Sequence, residues 1–166
     1  AFNQGDVISQ SVFVDTLDPT ASFTTLAGYA PAAIPSPMDG QADDADPATN
    51  AYDLAVVFVM GAGATDWTLE LSTCTDDSYS SCGVASVAAS GSVTGDATGA
   101  ETIGVPILVS PAHQKLELTV VDSVGNDLTV EQGFSVQLTG CLIGLTNLIA
   151  GDYYSIATGC AGGAPC

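Results

Sequence analysis

The chain has 166 residues, 46% hydrophobic and 12% charged, and its charge is nearly all of one sign: 19 carboxylates, one Lys and no Arg, for a net −18. A chain this apolar is not of the disordered class, and one with a single basic side chain cannot neutralise phosphates, which excludes nucleic acid and anionic lipid surfaces as partners. A domain of this length buries about 70% of its unfolded surface, so one core suffices without metal or cofactor.

In chain order, Ala1 suits either a signal-peptidase cut or a trimmed initiator Met. Val7 to Val14 reads VISQSVFV, a strand in composition. Residues 28 to 51 form a long acidic loop with Pro31, Pro35, Pro37 and Pro47 among Asp39, Asp43, Asp44 and Asp46, of the kind that is functional or mobile. Leu54 to Met60 is an unbroken apolar run, expected as a central strand buried on both faces. Trp67, Leu69 and Leu71 alternate with polar residues, so Trp67 should face a core. Further strands are expected over Val84 to Val93, Thr102 to Val109, Leu116 to Val121 and Leu128 to Leu138, the last bent near Gly133. Turn residues separate them at 61–63, 75–77, 95–96, 110–111 and 125–127. The expected fold is all-β, a jelly-roll-like sandwich of seven to eight short antiparallel strands in a single domain over 1–166. Its core spans about 52–140, and the apolar, Gly-rich tail runs from 141 to 166. That tail should pack on its own domain or on a neighbouring subunit. Its longest apolar run, Cys141 to Ala150, is too short for a membrane span and is broken by Gly144 and Asn147.

The five cysteines exceed cytosolic habit. Cys74 and Cys82 bracket TDDSYSS and could close a loop by a disulfide, while Cys141, Cys160 and Cys166 could pair with each other or with another chain. Their spacing does not suit zinc. Asp39, Asp43, Asp44 and Asp46 offer hard oxygen ligands to calcium, without the complete D-x-[DN]-x-[DN]-G loop and its closing Glu; Asp76 and Asp77 share a second acidic turn. His113, the single histidine, would have to serve as base of any Ser-His-Asp arrangement, but there is no G-x-S-x-G segment. No pair of carboxylates stands out as an acid and base. The expectation is a protein that is not an enzyme. Tyr29, Tyr52, Tyr79, Tyr153 and Tyr154, with Trp67, are the aromatics that could stack on sugar rings, with Tyr153 and Tyr154 the better placed.

From Tyr52 to about Gly140 the order of elements resembles the capsid decoration, or cement, proteins of tailed bacteriophages. The segments that carry it are DLAVVFVM, DWTLELSTCTDDSYSS, GVASVAASGSVTGDATG, TIGVPILV, PAHQKLELTVV and FSVQLTG. The resemblance implies a trimer on the outer capsid surface that clamps neighbouring capsomers, with the major capsid protein as partner. Phe2, Val7, Phe13, Tyr153 and Tyr154 are the expected subunit or capsid contacts. Two departures from the family are the scarcity of basic residues near HQKLEL and the cysteine-bearing tail. Two other readings compete: a secreted filament or surface-layer subunit in which Phe2 to Val14 is donated to a neighbour's sheet, and a secreted carbohydrate-binding module.

Overall fold

A computed structural model of the chain describes residues 14–49, 51–108 and 110–138. Eight strands appear in order: β1 Thr20–Leu26, β2 Met38–Asp39, β3 Tyr52–Gly61, β4 Ala64–Cys74, β5 Ser86–Ser92, β6 Ala97–Val105, β7 Ala112–Asp122 and β8 Asp127–Gln137. They form two sheets, one of order β1-β3-β6 and the other of order β2-β8-β7-β4-β5. Every pairing is antiparallel except β2 with β8. The expected β-sandwich is the one observed, and the core lies between the sheets.

Period-two alternation builds that core. Along β7, Ala112, Gln114, Leu116, Leu118, Val120 and Asp122 are buried and the residues between them are half-buried. From the opposite sheet come Leu54, Val56, Phe58 and Met60 of β3. Burying each Leu, Val or Phe contributes about 1.5–3 kcal/mol relative to leaving it in water. Trp67 faces this core as expected, 5.0 Å from Phe58 in an edge-on contact. Gly91 lies directly opposite Trp67 on β5, where a Cβ would come within 2.9 Å of the indole.

Several expectations need correction. The run LAVVFVM is a central strand but is buried on one face only: Ala55 and Val57 are half-buried and Val59 is 40% exposed. Its sheet has no second layer over that outer face among the described residues. The strand expected over 102–109 spans Ala97–Val105 instead, because Pro106 cannot continue a ladder. β1 was not foreseen; a register break between Phe23 and Thr25 interrupts its alternation. The core also reaches beyond 52–140, taking in Phe23, Leu26 and Met38. Met38, inside the acidic loop, is fully buried beside Val136, so that loop is anchored to the sandwich.

Two buried polar side chains fix connections. Gln114, with no exposure, donates from Nε2 to the Pro106 carbonyl at 3.0 Å and accepts from Thr73 Oγ1 at 3.2 Å. It thereby ties the β6–β7 connection to β4. Asp122 organises the β7–β8 turn by accepting from the backbone N–H groups of Val124, Gly125 and Asn126 and from Asn126 Nδ2.

Candidate functional site

The densest cluster of reactive side-chain types lies on the outer face of the five-stranded sheet, where Cys74, His113 and Ser135 stand side by side on β4, β7 and β8. Cys74 is bonded to Cys82, which closes residues 75–81 into a loop that folds back over this face. Within it the Asp76 carboxylate accepts from the Ser78 hydroxyl and backbone N–H. The Ser78 hydroxyl, and after it the Ser78 N–H, hold Asp76 below the usual carboxylate range. Tyr79, at φ +54°, lays its ring on Gly133, where a Cβ would come within 2.2 Å. Its hydroxyl sits 2.9 Å from Ser135 Oγ, which is 2.8 Å from His113 Nδ1.

The Ser–His hydrogen bond that an acyl-transfer site requires is therefore present, but its surroundings are unlike such a site. Ser135 is 1% exposed, covered by the Tyr79 ring, and its oxygen already has two partners. A nucleophile needs room for a carbonyl carbon on its open side. Here that room is filled, and the three side chains act together as a clasp that holds the disulfide loop to the sheet. Sequence reading found Cys74, Cys82 and His113 but missed Ser135, and it singled out Gly133 only as a bend, whereas β8 pairs with β7 there in unbroken register and the glycine makes room for the Tyr79 ring.

The same face carries a second arrangement that sequence reading missed. Glu70, Glu117 and Glu131 stand directly opposite one another on β4, β7 and β8. Lys115, the single basic side chain outside His113, serves this row with bonds of 2.8 Å to Glu117 and 3.0 Å to Glu131. Its bonds to Glu117 and then Glu131 raise the Lys115 ammonium above its ordinary value, and the Lys115 bond holds Glu131 below its own. The signal was in the sequence as two LEL triplets, Leu69 to Leu71 and Leu116 to Leu118, which pair in register.

In the acidic loop the four aspartates turn to their own backbone. Asp39 accepts from the Gln41 and Ala42 N–H groups, Asp44 from Asp46 and Asp53, and Asp46 from Ala48. Asp43 accepts from the Asp39 N–H and from Tyr29 Oη, the latter at 2.9 Å. The Asp43 bond raises the Tyr29 phenol above its ordinary value. Among the described residues there is no group of three or more His, Cys, Asp or Glu side chains placed to hold a metal ion. Asp39, Asp43, Asp44 and Asp46 are thus not gathered into a calcium cage. An open, shallow depression lies elsewhere, at the start of β1, lined by Thr20, Ser22, Val59, Gly61, Ala62 and Asp96.

Of the aromatics, Trp67 and Tyr52 are buried, Tyr29 is bonded to Asp43, and the Tyr79 ring lies against Gly133. Trp67 and Tyr52 thus present no open face for stacking, while Tyr29 and Tyr79 are half-buried and held at their hydroxyls. Tyr153 and Tyr154, the contacts Phe2, Val7 and Phe13, and Cys141, Cys160 and Cys166 lie outside the described residues. No helix among the described residues is long and apolar enough to cross a membrane. Comparison with protein-family models and with curated protein sequences gave no match.

Proposed function

We propose that this chain is a structural subunit that works in many copies on the outside of a particle, as a capsid decoration protein does, through contacts made by its sheet faces, edges and terminal segments. The observation that carries this reading is the distribution of charge. A chain of net −18 presents, on the outer side of β1-β3-β6, a face built from Ser22, Ala55, Val57, Val59, Ala100 and Thr102, all exposed or half-buried and none charged, with one carboxylate, Asp53, at its end. Carboxylates repel a second copy, so an uncharged face is where copies or a shell can approach. The reactive side chains, by contrast, are engaged in holding loops. The segments that carry the likeness to decoration proteins fall on β3 to β8, which suits a rigid scaffold whose individually modest contacts add by repetition.

A subunit of a filament or surface layer is the second reading, favoured by the long, unbroken edge of β6 described below. The carbohydrate-binding reading draws no support from Trp67, Tyr52 or Tyr79. Immunogold electron microscopy of the native source tests the proposal. Regular labelling around particles or along fibres is expected, and label dispersed in the soluble fraction would overturn it.

A further inference from the structure

The four sheet edges differ in how they are guarded. β1 and β6 end one sheet, and β2 and β5 end the other. Natural sheets blunt their edges with bulges, shortness, proline or charge. β1 carries a register break between Phe23 and Thr25, β5 carries one opposite Leu69 and Glu70, and β2 has only two residues. β6 has no bulge, is not short and has no proline: all nine residues, Ala97 to Val105, pair with β3 in unbroken register, and its one guard is the half-buried Glu101, in phase with the core-facing Ile103 and Val105. Its sequence, ATGAETIGV, contains no proline and one charge, Glu101. Among the described residues, the backbone edge facing away from β3 pairs with no strand.

The chain also supplies a segment whose sequence suits an added strand. Residues 7–14, VISQSVFV, alternate in two apolar-rich series and bear no charge. At about 3.3 Å per residue, eight residues match the length of β6. The end of this segment that the structure describes is not covered by its own domain: Val14 is 75% exposed and Leu17 68%. Asn126 Nδ2 lies 3.5 Å from the Asp15 carbonyl and 3.4 Å from that of Leu17, placing the approach to β1 at the β7–β8 turn. β1 lies against β8, whereas β6 lies against β5. The described end of the segment therefore approaches the three-stranded sheet on its β1 side, and β3 stands between it and the free edge of β6.

We propose that the free edge of β6 accepts residues 7–14 of a second copy of this chain as an added strand. The proposal rests on the many-copy reading above and names the partner of one of its surfaces. Donor and acceptor are different patches, so the contact is heterologous and links copies head to tail into a ring or a fibre. Backbone hydrogen bonds supply the attraction, and the pairing of an uncharged strand with a nearly uncharged edge brings little extra negative charge together.

The test uses two full-length variants. Ile8→Pro with Val12→Pro disables the donor and leaves β6 intact, whereas Thr98→Lys with Gly104→Lys guards the edge near its two ends and leaves the donor and the residues of the uncharged face unchanged. Both Thr98 and Gly104 are exposed, and circular dichroism and thermal unfolding of each variant verify the fold. In sedimentation velocity the wild type is expected to form oligomers, and each variant alone to lose them. An equimolar mixture should recover a one-to-one dimer, because one intact donor then meets one intact edge. Wild-type oligomers that persist in both variants would overturn the strand exchange while leaving the many-copy reading in place. Folded variants that stay monomeric when mixed would also overturn it. A monomeric wild type whose β6 amides exchange faster in the donor variant would show that the strand closes on its own chain, which overturns the second copy as occupant.

Discussion

Tyr79 and Gly133 meet face to face across the outer side of the five-stranded sheet, so closely that a methyl group at position 133 would lie 2.2 Å from the ring. The contact seats the tyrosine hydroxyl on Ser135 and holds the disulfide loop down. Gly133→Ala should therefore displace the ring and cost about 1–3 kcal/mol, the usual penalty of forcing a methyl into filled space. Tyr79→Phe keeps the ring and removes the bond to Ser135, at about 1 kcal/mol. Urea unfolding of both variants checks the order, which is contradicted if Tyr79→Phe is the more damaging.

The Cys74–Cys82 bond closes a short loop, with the two cysteines 8 positions apart. Constraint of the unfolded chain by a loop this short stabilises by about 2–3 kcal/mol. Replacing both cysteines by Ser should lower stability by that amount and loosen the clasp. A doubling or more of the Tyr79 ring's accessibility to a fluorescence quencher would report the second effect.

Tyr52 is 4% exposed and its hydroxyl has no hydrogen-bond partner among the described residues. Burial, with Asp43 and Asp44 nearby, pushes its phenol pKa well above the ordinary value. A buried hydroxyl without a partner costs about 1–3 kcal/mol. Tyr52→Phe should accordingly leave the protein as stable or raise its stability by about 1 kcal/mol, as read from the denaturant midpoint; a marked loss would mean that the hydroxyl is satisfied.

Burial pushes the Asp122 carboxyl up, but its hydrogen bonds from Asn126, Val124 and Gly125 together outweigh this and leave it below the usual range. A carboxyl depressed on folding contributes stability that is fully present above its unfolded value of about 3.9 and is lost as pH falls through the folded value. Asp122→Asn should thus be less stable than wild type at pH 7, with the gap closing below about pH 4. Unfolding midpoints at pH 7, 5 and 3 measure it, and a gap of equal size at pH 3 would contradict the assignment.

Lys115 is the cation that serves the row Glu70, Glu117 and Glu131. Like charges directly opposite on a sheet destabilise it, so Lys115→Met should lower stability at low ionic strength. Salt should recover much of the loss, because these side chains are near water and screening acts over about 10 Å at 0.1 M. Thermal unfolding at two salt concentrations separates this from lost packing, which salt would not restore.

The sandwich was legible in the sequence because its strands alternate. Trp67, Leu69 and Leu71 declared both their strand and the face it buries. β1 was not legible, since its register break puts Phe23 and Leu26 out of simple phase. Met38 was hidden among prolines and aspartates, and only its parallel pairing beside Val136 brings it inside. LAVVFVM misled in the other direction: among the described residues no second layer covers its apolar outer residues, and reading them as buried overlooked a surface. The clasp could not be read at all, and the glutamate row left only its two LEL triplets as a trace, because both depend on which strand lies beside which. Cys74 opposite His113, and His113 opposite Ser135, is a fact of register, and register between distant strands is set by the whole core.

The central claim is that this chain acts in many copies on the outside of a particle. Fractionating the native source on a density gradient, followed by counting copies of the chain in each fraction by quantitative mass spectrometry, tests it most directly. The account predicts that the chain migrates with a dense particle or fibre, in many copies per assembly and open to protease or antibody from outside. Recovery only at the top of the gradient, as a free monomer, would contradict it.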